Sequence, residues 1–245
     1  MKRLANYSQY FLRSPKLIKE LIGHSSVGRH DVVYDIGAGS GAISSVLAER
    51  AKSVVAVEFE PRMASKLRAN MEKYSNVSVH EGDFLTLSLP KTAYKVFANI
   101  PFHLSSPIVR RLTQAEYPPE AIYLVVQKQF ANKLLPSSDR FTGQLGMMVG
   151  PEFAVRIRRR LLRTDFFPHP NVDTVLLEML RRPEPLIERS KMPEYRQFIE
   201  ECFSTPRIFA KAPRSAIGLP PDIKPSQMKL LQWVALFHAK NAQTK

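Results

Sequence analysis

The sequence predicts an α/β fold: a mainly parallel seven-stranded sheet closed at one edge by an antiparallel hairpin, plus a small all-α C-terminal domain. Three observations carry this expectation. Short β-branched runs alternate with helix-period patterns through the first half of the chain. Two more strand-like runs then follow one another across a proline-rich turn, which is the pattern of a hairpin rather than of a crossover. Beyond Arg181-Arg182-Pro183-Glu184-Pro185 only helical patterns remain.

Taken in order, strands are expected at 31–36, 53–58, 77–81, 94–99 and 121–126, each built on valine, isoleucine or aromatic residues. Between them, segments 42–50, 61–74 and 106–113 carry apolar residues at helical spacing or good helix formers. Pro61 and Pro107 suit first-turn positions, where a missing N–H costs nothing. These are the crossover helices that parallel strands require. A helical stretch near 127–135 precedes the strand pair 153–162 and 172–180, joined around Pro168 and Pro170. Two prolines and a charge cluster at 181–185 argue for a linker. Domains are therefore placed at 1–182 and 183–245, with helices at 193–203 and 225–239 in the second.

With 245 residues, 44% of them apolar, the chain can bury one sizeable core and a smaller one. Lys and Arg outnumber Asp and Glu by 36 to 22, a formal charge of +14, which points to a polyanionic partner. The single cysteine, Cys202, excludes a disulfide framework and reads as a packed side chain. The six histidines lack metal-ligand spacing, so no metal is expected. No apolar run approaches a membrane span and the basic start leads into polar residues, so a cytoplasmic location is expected.

The first strand runs into Gly37-Ala38-Gly39-Ser40-Gly41 and then a helix, so the backbone can turn tightly and present amides to a ligand at the helix start. With Ala42 next, the stretch also satisfies the dinucleotide pattern G-x-G-x-x-G/A, which keeps a nicotinamide enzyme in play. Glu58 ends the second strand and can accept from both hydroxyls of a ribose, as either cofactor would need. At the end of the third, Asp83 can accept from an adenine amine beside Phe84, although Asp is also a common cap or turn residue. Together these strand ends describe an adenosyl pocket.

After the fourth strand stands Asn99-Ile100-Pro101-Phe102. An adenine N6 is a poor nucleophile because its lone pair is delocalised into the ring. Attack on a sulfonium methyl needs the amine held in line, with its hydrogens directed so that the lone pair localises. The Asn99 side-chain oxygen and the Ile100 carbonyl are two suitable acceptors, Pro101 stiffens the backbone, and Phe102 offers a ring for an extruded base. The alternative is an ordinary turn containing Asn and Pro. A second stacking ring is sought at Phe166 or Phe167.

These motifs resemble the Erm-type ribosomal RNA adenine N6-methyltransferases, which confer macrolide, lincosamide and streptogramin B resistance. The likeness runs from about Tyr7 to Leu180, and the family's Ser-Gln-Asn-Phe-Leu is similar to Ser8-Gln9-Tyr10-Phe11-Leu12. The resemblance implies a Rossmann-like class I methyltransferase using S-adenosylmethionine, and it implies cofactor contacts at Gln9, Tyr10, the backbone near Leu12, Gly37, Gly39, Glu58, Asp83 and Asn99. It makes Phe102 one stacking ring and Phe166, first in Phe-x-Pro-x-Pro-x-Val, the other. The implied substrate is one adenine of the large-subunit RNA, with a monomer sufficient for the chemistry. Tyr10 stands where the family has Asn, and Phe102 where many members have Tyr.

The run Arg156 to Arg163 alternates poorly for a half-buried strand unless its arginines line a groove. Arg158, Arg159, Arg160 and Arg163 are therefore expected to touch RNA, against the alternative of a strand edge blunted by charge. Three rival functions remain. The housekeeping dimethyladenosine transferase of the small ribosomal subunit resembles Gly-Gln-Asn-Phe-Leu and Asn-Leu-Pro-Tyr at these motifs, whereas Ser8 and Ile100 favour the Erm type. A catalytically silent RNA-binding relative is opposed by Glu58, Asp83 and Asn99. A nicotinamide dehydrogenase explains neither the tetrad nor the charge.

Overall fold

The structure is a computed structural model describing residues 10–136 and 141–242. Its strands are β1 (Phe11–Leu12), β2 (Val32–Ile36), β3 (Ser53–Glu58), β4 (Val77–Glu81), β5 (Lys95–Asn99), β6 (Ala121–Gln127), β7 (Phe153–Leu161), β8 (Phe166–Phe167) and β9 (Thr174–Arg181). The helices are α1 (Pro15–Gly23), α2 (Ala42–Ala48), α3 (Pro61–Met71), α4 (Ser105–Thr113), α5 (Lys128–Leu134), α6 (Gln144–Val149), α7 (Met192–Ser204), α8 (Pro206–Lys211) and α9 (Leu230–Ala242).

Seven strands form one sheet in the order β4-β3-β2-β5-β6-β9-β7, and β1 and β8 form a separate two-stranded ribbon. The pairs β4·β3, β3·β2, β2·β5 and β5·β6 are parallel, and antiparallel strands complete the sheet. The chain winds outward through β2, β3 and β4 and then returns to place β5 on the other side of β2. Strand order reverses there, and a crevice opens beyond the carboxyl ends of the strands. Central β6 is buried along almost its whole length, which is why it reads as a continuous apolar run rather than an alternating one.

Among the elements absent from the sequence reading are α1 and the ribbon β1·β8. Helix α1 had legible signals: Ser14 accepts from the Leu17 amide as N-cap, Pro15 opens the first turn, and Leu17, Ile18, Leu21 and Ile22 form its buried face. The ribbon β1·β8 had none, because two residues per strand are too few to show a period.

Two compact units are present. One comprises the chain up to Lys128 with Ile157–Met179; the other comprises Gln129–Arg156 with the chain from Leu180 onward. The tail thus shares its core with α6, contributed by a segment that precedes β7. That core gathers Met147, Met148, Tyr195, Phe198, Cys202 and Phe237 around Trp233. The indole stacks on Phe203 at 5.5 Å and meets Phe198 and Phe209 at 6.1 and 5.6 Å. Burial pushes the Cys202 thiol up to about 12, so it is a packed, inert side chain. Trp233→Ala is expected to cost this unit about 3–5 kcal/mol by leaving a cavity. Trp233→Phe should cost much less, since the indole N–H has no partner among the described residues. Urea unfolding followed by circular dichroism reads both.

Candidate active site

The carboxyl ends of β2, β3, β4 and β5 meet at a cavity of about 360 Å³, the size of a nucleoside-type ligand pocket. Its lining includes Tyr10, Phe11, Gly37, Glu58, Asp83, Asn99, Ile100, Pro101 and Phe102, so most of the residues expected from sequence come together here. Gly37 and Gly39 have φ of +71° and +58°, and a Cβ on Gly39 would lie 3.0 Å from the Phe11 ring. Glycine is required at both for conformation, and at Gly39 for space as well.

Glu58 is almost fully buried, and its two oxygens divide the loop between them. Oε2 accepts from the Gly39 amide at 2.8 Å and Oε1 from the Glu60 amide at 2.9 Å. Each oxygen keeps a further lone pair for a ribose hydroxyl. Asp83 takes the turn-capping role and keeps an oxygen for the other. Its Oδ1 caps the turn by accepting from Leu85 at 2.8 Å, which leaves Oδ2 for an amine. Arg111 braces this loop by donating to the Phe84 carbonyl at 3.1 Å and to the Leu87 carbonyl. Sequence reasoning assigned Arg111 nothing, since a lone arginine near a helix end gives no sign of carbonyls 24 and 27 residues away. Phe59, exposed and directly after Glu58, also lines the cavity and was missed. The glycine cradle, the paired acceptors on Glu58 and the free oxygen of Asp83 fit an adenosyl cofactor.

Beneath the loop, Asp35 is completely buried. It accepts from Ser44 Oγ at 2.6 Å through Oδ2, whereas Oδ1 has no partner. Burial raises its pKa to about 7, with nearby Glu58 adding to the rise and Ser44 opposing it. The folded protein therefore holds a proton that the unfolded chain releases near pH 4. Across pH 4 to 7 the native state binds more protons, so the Asp35 contribution to stability is present below pH 4 and lost as pH rises through 7. Asp35→Asn should remove that slope. The difference in unfolding free energy between pH 4.5 and 7.5 is expected to change by about 3–4 kcal/mol relative to the parent protein, as read by denaturant unfolding at both pH values.

Asn99 ends β5 with its Nδ2 donating to the Tyr10 carbonyl. A carbonyl can only accept, so this contact fixes the amide orientation and leaves Oδ1 as the free acceptor. The Tyr10 ring stacks on Phe102 with centroids 5.3 Å apart and planes at 29°. Two stacking intervals of about 3.5 Å each would be needed to hold a base between these rings. The pair is in direct contact instead.

Two expectations are corrected by register. Phe166, expected as the opposite stacking ring, is fully buried and does not line the cavity. Antiparallel pairing sets it against Leu12, whose side chain is also buried, so the two share the inward face of the ribbon. The outward pair is Phe11 and Phe167. Nor is the arginine run a single cationic wall. β7 is an edge strand, and alternation turns Arg158 and Arg160 to its exposed face and Arg159 to the other. Arg158 donates to the His24 carbonyl at 2.8 Å and lies 3.8 Å from Glu178, Arg159 pairs with Glu20, and Arg163 lies 3.7 Å from Asp173. Gln9 lies outside the described residues. Among the described residues there is no group of three potential metal ligands and no helix long and apolar enough to cross a membrane.

The profile of the family described as ribosomal RNA adenine dimethylase matches residues 2–208. The ribosomal RNA small subunit methyltransferase A of Streptococcus uberis is 30% identical over 194 residues, covering 75% of this chain and 67% of that protein. Among solved structures, the 23S rRNA methyltransferase ErmE superposes with a TM-score of 0.81 at 27% identity, covering 94% of this chain and 99% of that one. A dimethyladenosine transferase from Plasmodium falciparum shares the fold, with a TM-score of 0.77 at 21% identity over 96% and 98% of the two chains.

Proposed function

The chain belongs to the ribosomal RNA adenine dimethylase family, and from that premise we propose that it methylates N6 of one adenine in large-subunit ribosomal RNA, the modification that gives macrolide, lincosamide and streptogramin B resistance. The family is one of methyltransferases that use S-adenosylmethionine and act on ribosomal RNA. The observation that carries the N6-adenine reading is the anchored amide of Asn99, whose free Oδ1 lies in a cavity wall with Phe102 and the backbone of Ile100.

Bound S-adenosylmethionine supplies a methyl group on a sulfonium, which is already a strong electrophile. Glu58 would hold the ribose of that ligand, Asp83 its adenine and the Gly37–Gly39 turn its methionine end. Asn99 Oδ1 and the Ile100 carbonyl would accept the two N6 hydrogens of the target, which would localise its lone pair on nitrogen for attack. Phe102 stacks the extruded base and repays part of the cost of unstacking it. The exposed Lys211, Lys224 and Lys229 of the RNA-binding tail supply phosphate contacts, and the exposed Arg160 on β7 supplies another.

The likeness to a 23S rRNA methyltransferase along nearly the whole of both chains supports the large-subunit target, as do Ser8 and Ile100. The small-subunit reading is favoured by the sequence relatives named for that substrate. Incubating the protein with labelled S-adenosylmethionine and each deproteinised ribosomal RNA, then mapping the modified adenine, decides between them. Label in the large-subunit RNA is expected. Label confined to small-subunit RNA would replace this reading with the second, and no label despite cofactor binding would indicate a silent RNA-binding relative.

A further inference from the structure

We propose that Phe167, backed by Arg13, is a stacking platform for the nucleotide adjoining the target adenine. The proposal rests on reading the cavity as a ribosomal RNA adenine site. Phe167 is 64% exposed. Its antiparallel partner Phe11 is 37% exposed, so both rings stand on the same outward face of the β1·β8 ribbon.

Phe11 also forms part of the cavity wall, where its ring closes against Gly39. Phe167 thus stands next to a residue of the active-site wall, across the ribbon from Phe11. Arg13 follows β1, where its amide donates to the Asp165 carbonyl at 2.9 Å and extends the ribbon by one rung. Its guanidinium carbon lies 5.7 Å from the Phe167 ring centroid. A ring with a cation on it, at the rim of a base pocket, in a chain of net charge +14, matches one kind of occupant: an unpaired nucleotide that presents a base face and a phosphate together.

The chemistry of extrusion explains why such an occupant needs a seat. When the target adenine leaves its stack, its neighbour loses a stacking partner on one face. Phe167 covers that face, and Arg13 meets the phosphate between the two nucleotides. The platform is thus a reader of unpaired flank, distinct from the ring that holds the target.

The test places 2-aminopurine immediately 5′ or 3′ of the target in a short RNA hairpin. The hairpin carries the adenine that the parent protein methylates or, if none is methylated, an unpaired loop adenine. The parent protein should quench the fluorophore at one of the two positions, Phe167→Ala should abolish the quench, and Phe167→Trp should retain it. On methylated RNA, Phe167→Ala should raise KM about tenfold, with kcat and cofactor affinity within about twofold, and an abasic flank should erase the difference. No quench at either position, or a quench that survives in Phe167→Ala, overturns the platform. Failure of the parent protein to methylate any adenine would instead overturn the functional reading, and the quench would still decide the platform on its own.

Discussion

Replacing Asn99 by alanine is expected to lower kcat for methyl transfer by about 10²–10³-fold, the usual cost of removing one preorganised polar group from a transition state. S-adenosylmethionine affinity should stay within a few-fold, because Glu58 and Asp83 are untouched. The structure adds a second variant. Asn99→Asp keeps an acceptor at Oδ1, yet its other oxygen would face the Tyr10 carbonyl, where Nδ2 now donates. Two acceptors cannot share that contact, so the side chain must rotate away and kcat should fall nearly as far. Single-turnover transfer measured beside calorimetric cofactor titration checks both variants. A parallel loss of cofactor binding and of kcat would show Asn99 to be a cofactor ligand first and an amine-orienting group second.

Glu58→Ala is expected to weaken S-adenosylmethionine binding by at least about 10²-fold, with a smaller effect on kcat at saturation. Two losses combine. The ribose hydroxyls lose their acceptors, and the Gly39 and Glu60 amides lose theirs in an almost fully buried position. An orphaned buried donor costs about 1–3 kcal/mol, so the loop itself should shift before any ligand arrives. Glu58→Gln separates the two effects. Its carbonyl can still accept from one amide, but its NH2 would point at the other amide donor, so an intermediate weakening of about tenfold is expected. Equal affinity for parent protein and Glu58→Gln would show that the carboxylate acts through charge or shape elsewhere, not through paired acceptance.

The sequence by itself determined the parallel sheet and the loops that carry chemistry. β-Branched runs and helix periods are local, and Gly37, Glu58, Asp83 and Asn99 fall at or just after the carboxyl ends of successive runs. Strand ends in such a sheet converge, so residues named from spacing alone meet in one cavity. What only the tertiary structure decided is everything that depends on a distant partner. Phe166 and Phe167 are adjacent and chemically alike, and the choice of inward ring belongs to the pairing with Leu12 and Phe11, more than 150 residues earlier in the chain; a shift of one residue would exchange them. The same holds for the arginine run, where alternation and the positions of Glu20, His24 and Glu178 divide one charge cluster among separate contacts. Tyr10 is the sharpest case. Against the family pattern it is only a missing asparagine, but in the fold its carbonyl orients Asn99 while its ring rests on Phe102. A backbone carbonyl is the same in every residue type, so no sequence pattern can announce that contact.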